Sequence, residues 1–386
     1  MIGIITPYKV PNYGTKLQAY AMQELLNMYD SAEIINFMGA SDYRPRAVLG
    51  KIRIKYEKKK NRHQTNHFKN QDYQTLKKER VRSIMCFDDT FYRLSSEIKG
   101  TLSLKKQMRN YRAVVCGSDQ LWAPLNIDAD YFTLTVVPKG IPRISFSASF
   151  GVSDIPERYK PAYRRYLNKM KHISVREETG NAIVKEMTGR TVPVTLDPTL
   201  MLKRETWEKL ADYSNLSFEK YIFCYFLGAN PEHRLFAKRL ARQTGCQLVS
   251  IPHCEQYNIA DEGYSTIEIS DAQPQDFLNL IRNADYVCTD SFHGTVFSMI
   301  FEKKVAVFER FLSGDKGSTN SRIHTLLGTL DAEDALMKSS DEAESFLSLK
   351  LNYNGIKQNL ENERIKSFAY LDQALGGTSE QGEKKI

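Results

Sequence analysis

The stretch from Ala284 to Phe301 constrains the fold of this chain most. Tyr286 to Cys288 is a short apolar run of the kind found in buried strands, and Thr295 to Phe301 has apolar residues at helical spacing. Between them lies a polar turn, residues 289–294, with the sequence Thr-Asp-Ser-Phe-His-Gly. A strand, a polar turn and a helix in this order predict half of a βαβ unit. Because α/β sheets bind ligands at the carboxyl ends of their strands, this turn is predicted to face a ligand.

Within this turn, His293 is the side chain that can change its charge near neutral pH. A helix that begins near His293 and Gly294 would direct free backbone N–H groups and the positive end of its dipole at one place, which suits an anion. The same histidine could instead cap the helix or be a half-buried structural residue. The pattern leaves both interpretations open.

The composition is that of a soluble globular protein, since 41% of the 386 residues are hydrophobic and 26% are charged. No apolar run reaches the roughly 18 residues that a membrane-spanning helix needs, and the first residues lack the basic start of a signal peptide. The six cysteines form no CxxC pair, so we expect reduced thiols in the cytoplasm and no zinc site. The chain shows no helix-turn-helix, zinc-finger or RNP-type pattern, so no nucleic-acid partner is expected.

Buried-strand and helical patterns alternate along both halves of the chain, with a looser polar stretch at residues 203–218 between the halves. Two such arrays predict an α/β fold with two Rossmann-like domains that face a shared cleft, as in GT-B-like proteins. The predicted domains are residues 1–205 and 206–355. An amphipathic helix at 356–376 is expected to pack back on the first domain, and a polar tail at 377–386 is expected to be flexible.

An insertion in the first domain, about residues 44–83, begins with a strongly basic segment. Residues 44–62 contain nine Lys or Arg and a single acid, Glu57, with apolar residues interleaved. Such a segment could lie on an anionic membrane surface or on a nucleic acid, or it could be a solvated insertion without a ligand.

Six short motifs occur in a fixed order along the chain. They are Asn12-Tyr13-Gly14 with Leu17-Gln18-Ala19, Gly117-Ser118-Asp119-Gln120-Leu121-Trp122, Ser174-Val175-Arg176-Glu177, Asp197-Pro198, Asp290-Ser291-Phe292-His293-Gly294 and Ser321-Arg322-Ile323-His324. Together they resemble the polysaccharide pyruvyl transferase family over about residues 2–330.

The resemblance implies a GT-B-like enzyme that moves a pyruvyl group from phosphoenolpyruvate to a sugar as a ketal. Phosphoenolpyruvate would be the donor substrate, with no other cofactor and no metal. The acceptor would be a polysaccharide or lipid-linked glycan of a bacterial cell surface, which would place the protein in the cytoplasm or at the inner face of the membrane. The first domain would bind the acceptor and the second the donor. The acceptor sugar, its linkage and the oligomeric state are left open.

This chain departs from the family pattern at one position of the central motif. Better-studied members carry Arg-Leu-His where this chain has Ser291, Phe292 and His293. The histidine matches, but the arginine does not. Another cation would therefore have to bind the donor, and Arg322 is the candidate.

Ketal formation needs an acid, a base and cations for the donor's phosphate and carboxylate. We expect His293 and Asp119 to be catalytic, with His293 also binding the phosphate and Asp119 also binding acceptor hydroxyls. The other predicted site residues are the donor-binding Arg176, Ser291, Gly294, Arg322 and His324 and the acceptor-binding Asn12, Tyr13, Gln18 and Trp122.

Each of these side chains has a structural alternative. Asp119 could cap a following helix, Arg176 could form an ion pair with Glu177, Glu178 or Asp197, and Trp122 could belong to the core. Arg322 and His324 could lie in a surface loop. Two other functions also stay open, a GT-B-like glycosyltransferase that uses a nucleotide sugar and a non-catalytic protein that binds a glycan or an anion.

The basic segment 44–62 generates a testable prediction about membrane contact. If it lies on anionic lipid, the protein should co-sediment with liposomes that contain an anionic phospholipid and much less with neutral liposomes, because each Lys or Arg near such a surface contributes about 1 kcal/mol. Equal recovery with both kinds of liposome would contradict the prediction.

Overall fold

A computed structural model describes residues 1–39, 71–126, 131–252, 258–311 and 318–377 of the chain. The basic segment 44–62 and nearly all of the predicted tail lie outside the described residues.

The first half of the chain forms a five-stranded parallel sheet in the order β2-β1-β3-β4-β5. Its strands are β1 (Ile2–Ile5), β2 (Ala32–Ile34), β3 (Ala113–Cys116), β4 (Arg143–Ala148) and β5 (His172–Val175). Its helices are α1 (Tyr13–Asn27), α2 (Gln71–Phe91), α3 (Thr101–Gln107), α4 (Lys160–Leu167) and α5 (Glu178–Thr188). The strand order reverses between β1 and β3, which creates a crevice at their carboxyl ends.

The second half forms a six-stranded parallel sheet in the order β11-β10-β9-β6-β7-β8. Its strands are β6 (Tyr221–Tyr225), β7 (Gln247–Ser250), β8 (Ile267–Glu268), β9 (Tyr286–Thr289), β10 (Lys304–Phe308) and β11 (Leu336–Met337). The remaining helices are α6 (Pro198–Met201), α7 (Arg204–Ala211), α8 (Pro231–Thr244), α9 (Pro274–Asn283), α10 (Phe292–Ile300), α11 (Ser321–Leu330), α12 (Ala343–Ser348) and α13 (Tyr353–Leu375). Here the order reverses between β6 and β9. The predicted α/β class with two Rossmann-like units is therefore confirmed.

The local predictions hold in part. The helix expected to begin near His293 and Gly294 begins at Phe292, because the Ser291 hydroxyl accepts a hydrogen bond from the Gly294 N–H and caps it. Residues 203–218 are not simply a loose crossing, since α7 lies within them. Asp197 and Pro198 start α6, with Asp197 as its N-terminal cap and Pro198 in its first turn.

The two sheets are joined by an apolar interface. The ring of Tyr13, at the start of α1, stacks on Phe277 of α9 at 5.3 Å and packs edge-on against Tyr225 of β6. The Tyr13 hydroxyl donates to the Ala272 carbonyl at 3.0 Å. Since Phe277 also packs edge-on against Phe297 of α10, this contact sets how closely the turn before α1 approaches the turn before α10.

The last helix, α13, returns to the first half of the chain. The Arg364 guanidinium donates to the carbonyls of Leu200 and Leu202 at 2.6 and 2.7 Å. The Tyr370 hydroxyl donates to the Ser145 carbonyl of β4 at 2.7 Å. Among the described helices, none has the length and apolar character to cross a bilayer.

Removing the Phe277 side chain should destabilise the protein strongly, because the ring is fully buried among aromatic side chains from both halves. We expect Phe277→Ala to lower the free energy of unfolding by about 3–5 kcal/mol in chemical denaturation. Leu102→Ala removes an exposed apolar side chain and should change it by less than about 0.5 kcal/mol. Similar losses for both variants would show that Phe277 does not join the two sheets.

Candidate active site

Polar turns at the two sheet crevices face each other. One turn follows β3 at residues 117–120, and the other follows β9 at residues 290–294. Arg176, directly after β5, reaches across so that its guanidinium carbon lies 4.6 Å from the centre of the Phe292 ring in the second turn. Gly14 of α1 contacts His293 so closely that a Cβ on Gly14 would lie 2.0 Å from the imidazole Nδ1. Residues far apart in sequence therefore meet in one site.

The carboxylate of Asp197 lies at the centre of this site. Its Oδ2 accepts hydrogen bonds from Arg176 Nη1 and from the Ser118 hydroxyl, both at 2.8 Å, and lies 3.8 Å from His293 Nε2. Its Oδ1 accepts from the N–H and hydroxyl of Thr199. Burial alone would raise the pKa of Asp197, but His293 and Arg176 outweigh it and hold that pKa well below its usual range. Asp197 is therefore an anion that links a strand end of the first sheet to the turn of the second.

Asp119 is the second carboxylate of the site, and it is the more accessible one. Its Oδ2 accepts a hydrogen bond from the Thr15 hydroxyl at 2.7 Å, its Oδ1 accepts from the Gln120 N–H at 2.8 Å, and Arg176 Nη2 lies 3.8 Å away. Burial would raise its pKa, but the charges of Arg176 and His293 lower it, so Asp119 is ionised at neutral pH. Its φ of +66° is tolerated by aspartate, and no α-helix follows it directly, which excludes the capping alternative.

Several buried nitrogens of basic side chains in and around this site have no hydrogen-bond acceptor among the described residues. They are Nε and Nη2 of Arg176, Nε2 of His293 and Nε of Arg310. Arg176 Nε lies 3.7 Å from the Glu177 carboxylate, within ion-pair distance but beyond hydrogen-bond distance. Arg176 is 4% exposed and His293 is 7% exposed, so water satisfies them poorly. Buried donors of this kind require a partner. The arrangement therefore fits an anionic ligand.

A third arginine, Arg322, lies with its guanidinium carbon 5.9 Å from the centre of the Phe292 ring. Burial and the like charges of Arg176 and Arg310 lower the pKa of Arg322 to about 9, although the carboxylates of Asp119 and Glu177 act in the opposite direction, so it remains charged at neutral pH. Cations and carboxylates therefore lie together in this site.

Two of the predicted acceptor-binding residues are core residues instead. Tyr13 is buried between α1 and α9, and Trp122 is fully buried, with its indole N–H donating to the Phe132 carbonyl and its ring packed against Phe150 and Tyr166. Neither side chain can stack on a sugar, so these two predictions are wrong.

The other two predicted acceptor residues order the turns. The Asn12 side chain caps α1 by accepting from the Thr15 N–H. The buried amide of Gln18 accepts from the Ser118 N–H at 3.0 Å and donates to Thr6 at 2.6 Å. Gln18 thus fixes the turn that carries Asp119 without facing the ligand, which corrects its predicted acceptor contact.

On the second sheet, the predicted donor residues divide into two groups. His293, Arg322 and the capping residues Ser291 and Gly294 lie at the site, although the Ser291 hydroxyl is occupied by the Gly294 N–H. His324 does not lie at the site. Its side chain is 51% exposed and pairs with Glu309 at 2.5 Å. It lies on a different face of α11 from Arg322, because side chains two residues apart on a helix point about 200° apart.

Asp290 does not orient His293. Both carboxylate oxygens of Asp290 accept backbone hydrogen bonds, from Leu227 at 2.6 Å and Gly228 at 2.8 Å. Asp290 thereby ties the turn after β9 to the turn after β6. Asp197, from the other half of the chain, approaches His293 instead.

Sequence reasoning missed the roles of Thr15, Ser118 and Arg310 and gave Asp197 only as an alternative partner of Arg176. The Asp-Pro pair was a usable signal for Asp197, because this pair often starts a helix. Arg310 follows β10 without any motif around it. Among the described residues, no group of three or more His, Cys, Asp or Glu side chains is arranged to hold a metal ion.

The family model described as polysaccharide pyruvyl transferase matches residues 12–310. The chain belongs to the polysaccharide pyruvyl transferase family. The resemblance seen in the motifs is thereby confirmed, and the match includes Asp119, Arg176, Asp197, His293 and Arg310.

Solved structures support the GT-B-like architecture of this family member. The UDP-N-acetylglucosamine 2-epimerase of Rickettsia bellii aligns with a TM-score of 0.52 and 10% identity, over 97% of this chain and 96% of that chain. The UDP-GlcNAc 2-epimerase of Methanocaldococcus jannaschii aligns with a TM-score of 0.50 and 11% identity, over 91% and 92%. At these identities the likeness is one of fold. No curated protein sequence matches the chain.

The Asp197 contacts generate a prediction about stability and pH. Asp197→Asn removes a buried negative charge next to Arg176 and should lower the free energy of unfolding at pH 7 by about 3–5 kcal/mol. Because the folded state depresses the pKa of Asp197, its stabilisation is present above the unfolded pKa of about 4 and is lost as the pH falls below it. The difference between wild type and variant should therefore shrink between pH 7 and pH 3.

Chemical denaturation at several pH values measures this difference. Asp341→Asn serves as the control, because Asp341 pairs with Arg239 at the surface and its loss should leave stability nearly unchanged. A pH-independent effect of Asp197→Asn would argue against a buried, ionised carboxylate at this position.

Proposed function

We propose that this protein transfers a pyruvyl group from phosphoenolpyruvate to two hydroxyls of a sugar, forming a ketal and releasing phosphate. One observation carries the proposal. Two buried nitrogens of Arg176, one of His293 and one of nearby Arg310 lack acceptors among the described residues, and Asp119, an ionised carboxylate, lies beside Arg176. Phosphoenolpyruvate supplies two anionic groups for these cations, and the sugar supplies hydroxyls for the carboxylate.

The reaction requires a proton to move at each stage. The methylene carbon of the enol takes a proton, which leaves an oxocarbenium-like centre at the adjacent carbon. One sugar hydroxyl adds there and loses its proton, phosphate departs, and the second hydroxyl adds and loses its proton. Proton donors and acceptors placed at the reacting atoms typically contribute 10²–10⁴-fold to such rates, as an order of magnitude.

His293 is the proposed proton donor to the methylene carbon. Its Nε2 is buried, has no hydrogen-bond partner among the residues that the structure describes, and lies 3.8 Å from the Asp197 carboxylate, whose negative charge attracts an imidazolium. Gly14 packs against the other side of the ring and fixes its position. The ring can therefore deliver a proton from one defined direction.

Asp119 is the proposed base for the acceptor hydroxyls. The neighbouring positive charges that lower its pKa also make it a weak base. Binding of the negatively charged donor would offset the charges of Arg176 and His293. The carboxylate would then become more basic at the stage when the acceptor hydroxyl must lose its proton.

The proposed acceptor is a polysaccharide or lipid-linked glycan, in keeping with the family. We place the enzyme in the cytoplasm, at the inner face of the membrane when the acceptor is lipid-linked. The basic segment 44–62 would provide the membrane contact. The proposed chemistry uses the side chains described and requires no metal ion or cofactor.

His293→Ala should lower the turnover number for pyruvyl transfer by about 10²–10⁴-fold, because the proton donor is lost. The measurement incubates the protein with phosphoenolpyruvate and a panel of lipid-linked and free glycans, and follows the pyruvylated product by mass spectrometry and phosphate release. His324→Ala is the matched control and should retain wild-type activity, since its side chain points away from the site.

Full transfer by His293→Ala would remove the assigned role of this histidine. A wild-type protein that transferred sugar from a nucleotide sugar, and never pyruvate from phosphoenolpyruvate, would refute the proposed function.

A further inference from the structure

The site presents its cations in two groups, and the donor in the proposed function carries two different anions. Arg176 belongs to the first sheet and lies next to the carboxylates of Asp119 and Asp197. Arg310 and Arg322 belong to the second sheet, near the start of α10. A carboxylate carries one negative charge and a phosphate carries nearly two, so the two groups of cations need not be equivalent.

Arg310 is anchored so that its guanidinium stays near the turn before α10. It is the second residue after β10, and the next residue, Phe311, is held by Asn320, which accepts from the Phe311 N–H at 3.2 Å and donates to the Phe311 carbonyl at 2.7 Å. The Arg310 side chain passes over Gly228, where a Cβ would lie 2.9 Å from Arg310 Cγ. Any larger residue at 228 would displace it.

Among the described residues, the acidic neighbour of Arg310 is Asp290. Arg310 Nε lies 3.9 Å from the Asp290 carboxylate, within ion-pair distance but beyond hydrogen-bond distance, and two backbone N–H groups already bind that carboxylate. The guanidinium donates one hydrogen bond to a described residue, from Nη2 to the Asp290 carbonyl at 3.3 Å. Its Nε is buried and has no acceptor among the described residues. Arg310 therefore retains much of its capacity to donate hydrogen bonds.

Arg322, which the sequence suggested as the donor-binding cation, already donates most of its hydrogen bonds to the protein. Its Nη2 donates to the Thr319 hydroxyl at 2.7 Å, and its Nε lies 3.4 Å from the Thr319 carbonyl. The Gln120 amide, with its oxygen directed at Arg322, accepts from Nη2 at 2.9 Å and from Nη1 at 3.1 Å. This arginine joins the two turns and has fewer donors left for a ligand.

The start of α10 supplies further donors beside Arg310. The backbone N–H groups of Phe292 and His293 lie in the first turn of a nine-residue helix, where no intrahelical acceptor exists. The unpartnered Nε2 of His293 and the unpartnered nitrogens of Arg176, all buried, independently indicate a ligand at this place. Helix N-termini combined with arginine bind phosphate well.

We propose that Arg310 binds the phosphate of the donor at the start of α10, while Arg176 binds its carboxylate. Arg310 thus has the donor-binding role that the sequence suggested for Arg322. It supplies the positive charge that other family members have in an arginine at the position of Ser291. The inference rests on the proposed function for the identity of the donor. Its phosphate site, however, would also serve the diphosphate of a nucleotide sugar.

Calorimetric titration with inorganic phosphate, pyruvate and phosphoenolpyruvate tests this assignment. In Arg310→Met, the dissociation constants for phosphate and phosphoenolpyruvate should rise about 10- to 100-fold, the usual effect of losing a charge-assisted contact. Pyruvate, which has a carboxylate and no phosphate, should bind within about twofold of wild type. Arg310→Lys should bind phosphate more tightly than Arg310→Met, because it keeps the positive charge.

Arg239→Met is the matched control, because Arg239 pairs with Asp341 at the surface. This variant should bind all three probes as the wild-type protein does. Far-UV circular dichroism and thermal melting of each variant confirm that it is folded. Unchanged phosphate binding in folded Arg310→Met, or an equal loss of pyruvate binding, would overturn the assignment. So would a lysine variant no better than the methionine variant.

The inference and the proposed function can fail separately. If phosphate binding depends on Arg310 but no pyruvylated product forms with any glycan, the phosphate site is supported and the proposed reaction is refuted. If pyruvyl transfer occurs and substitution of Arg310 leaves phosphate binding unchanged, the reaction is supported and the role of Arg310 is refuted.

Discussion

The ion pair between Arg176 and Asp197 is the contact on which the rest of the site depends. Both side chains are buried, and a charge in such a place is tolerated only when it is paired and hydrogen-bonded. Asp197 meets this requirement with Arg176, Ser118 and Thr199. Two nitrogens of Arg176 lie 3.7 and 3.8 Å from the carboxylates of Glu177 and Asp119 and have no hydrogen-bond acceptor in the described part of the chain. A pair kept only for stability would satisfy both partners. The unequal pairing indicates that Arg176 is held in place for a ligand.

The topology explains why these residues meet although they are far apart in sequence. In each sheet the strand order reverses once, between β1 and β3 and between β6 and β9, and a ligand crevice opens at that point. The turns after β3 and β9 lie at these crevices. The stacking of Tyr13 on Phe277 sets the distance between them, and Gly14 lets the His293 ring approach α1. An apolar contact thus determines the geometry of a polar site.

The sequence predicts the parts of the site that depend on local pattern. Apolar β-branched runs followed by polar turns located most strands of both sheets, though not the two-residue strands β8 and β11. They also placed Asp119, Arg176 and His293 at strand ends that face one another. The same patterns do not distinguish a sugar platform from a core aromatic, so Tyr13 and Trp122 were misplaced. The wrong prediction for His324 could have been avoided, because a residue two positions from Arg322 on a helix points to a different face. Arg310 was not predictable, since its role depends on Gly228 and Asn320, which come from other segments.

The charges of the site also explain why a structural arginine and a ligand-binding arginine can lie so close together. The Phe292 ring lies near both Arg176 and Arg322, and its π-system attracts each guanidinium group. Gln120 and Thr319 accept most of the hydrogen bonds that Arg322 can donate, whereas Arg310 donates one hydrogen bond to a described residue, the Asp290 carbonyl. The position of an arginine in the motif therefore matters less than the number of its donors that the protein has already satisfied. Counting those donors assigns Arg322 to the architecture and Arg310 to the ligand.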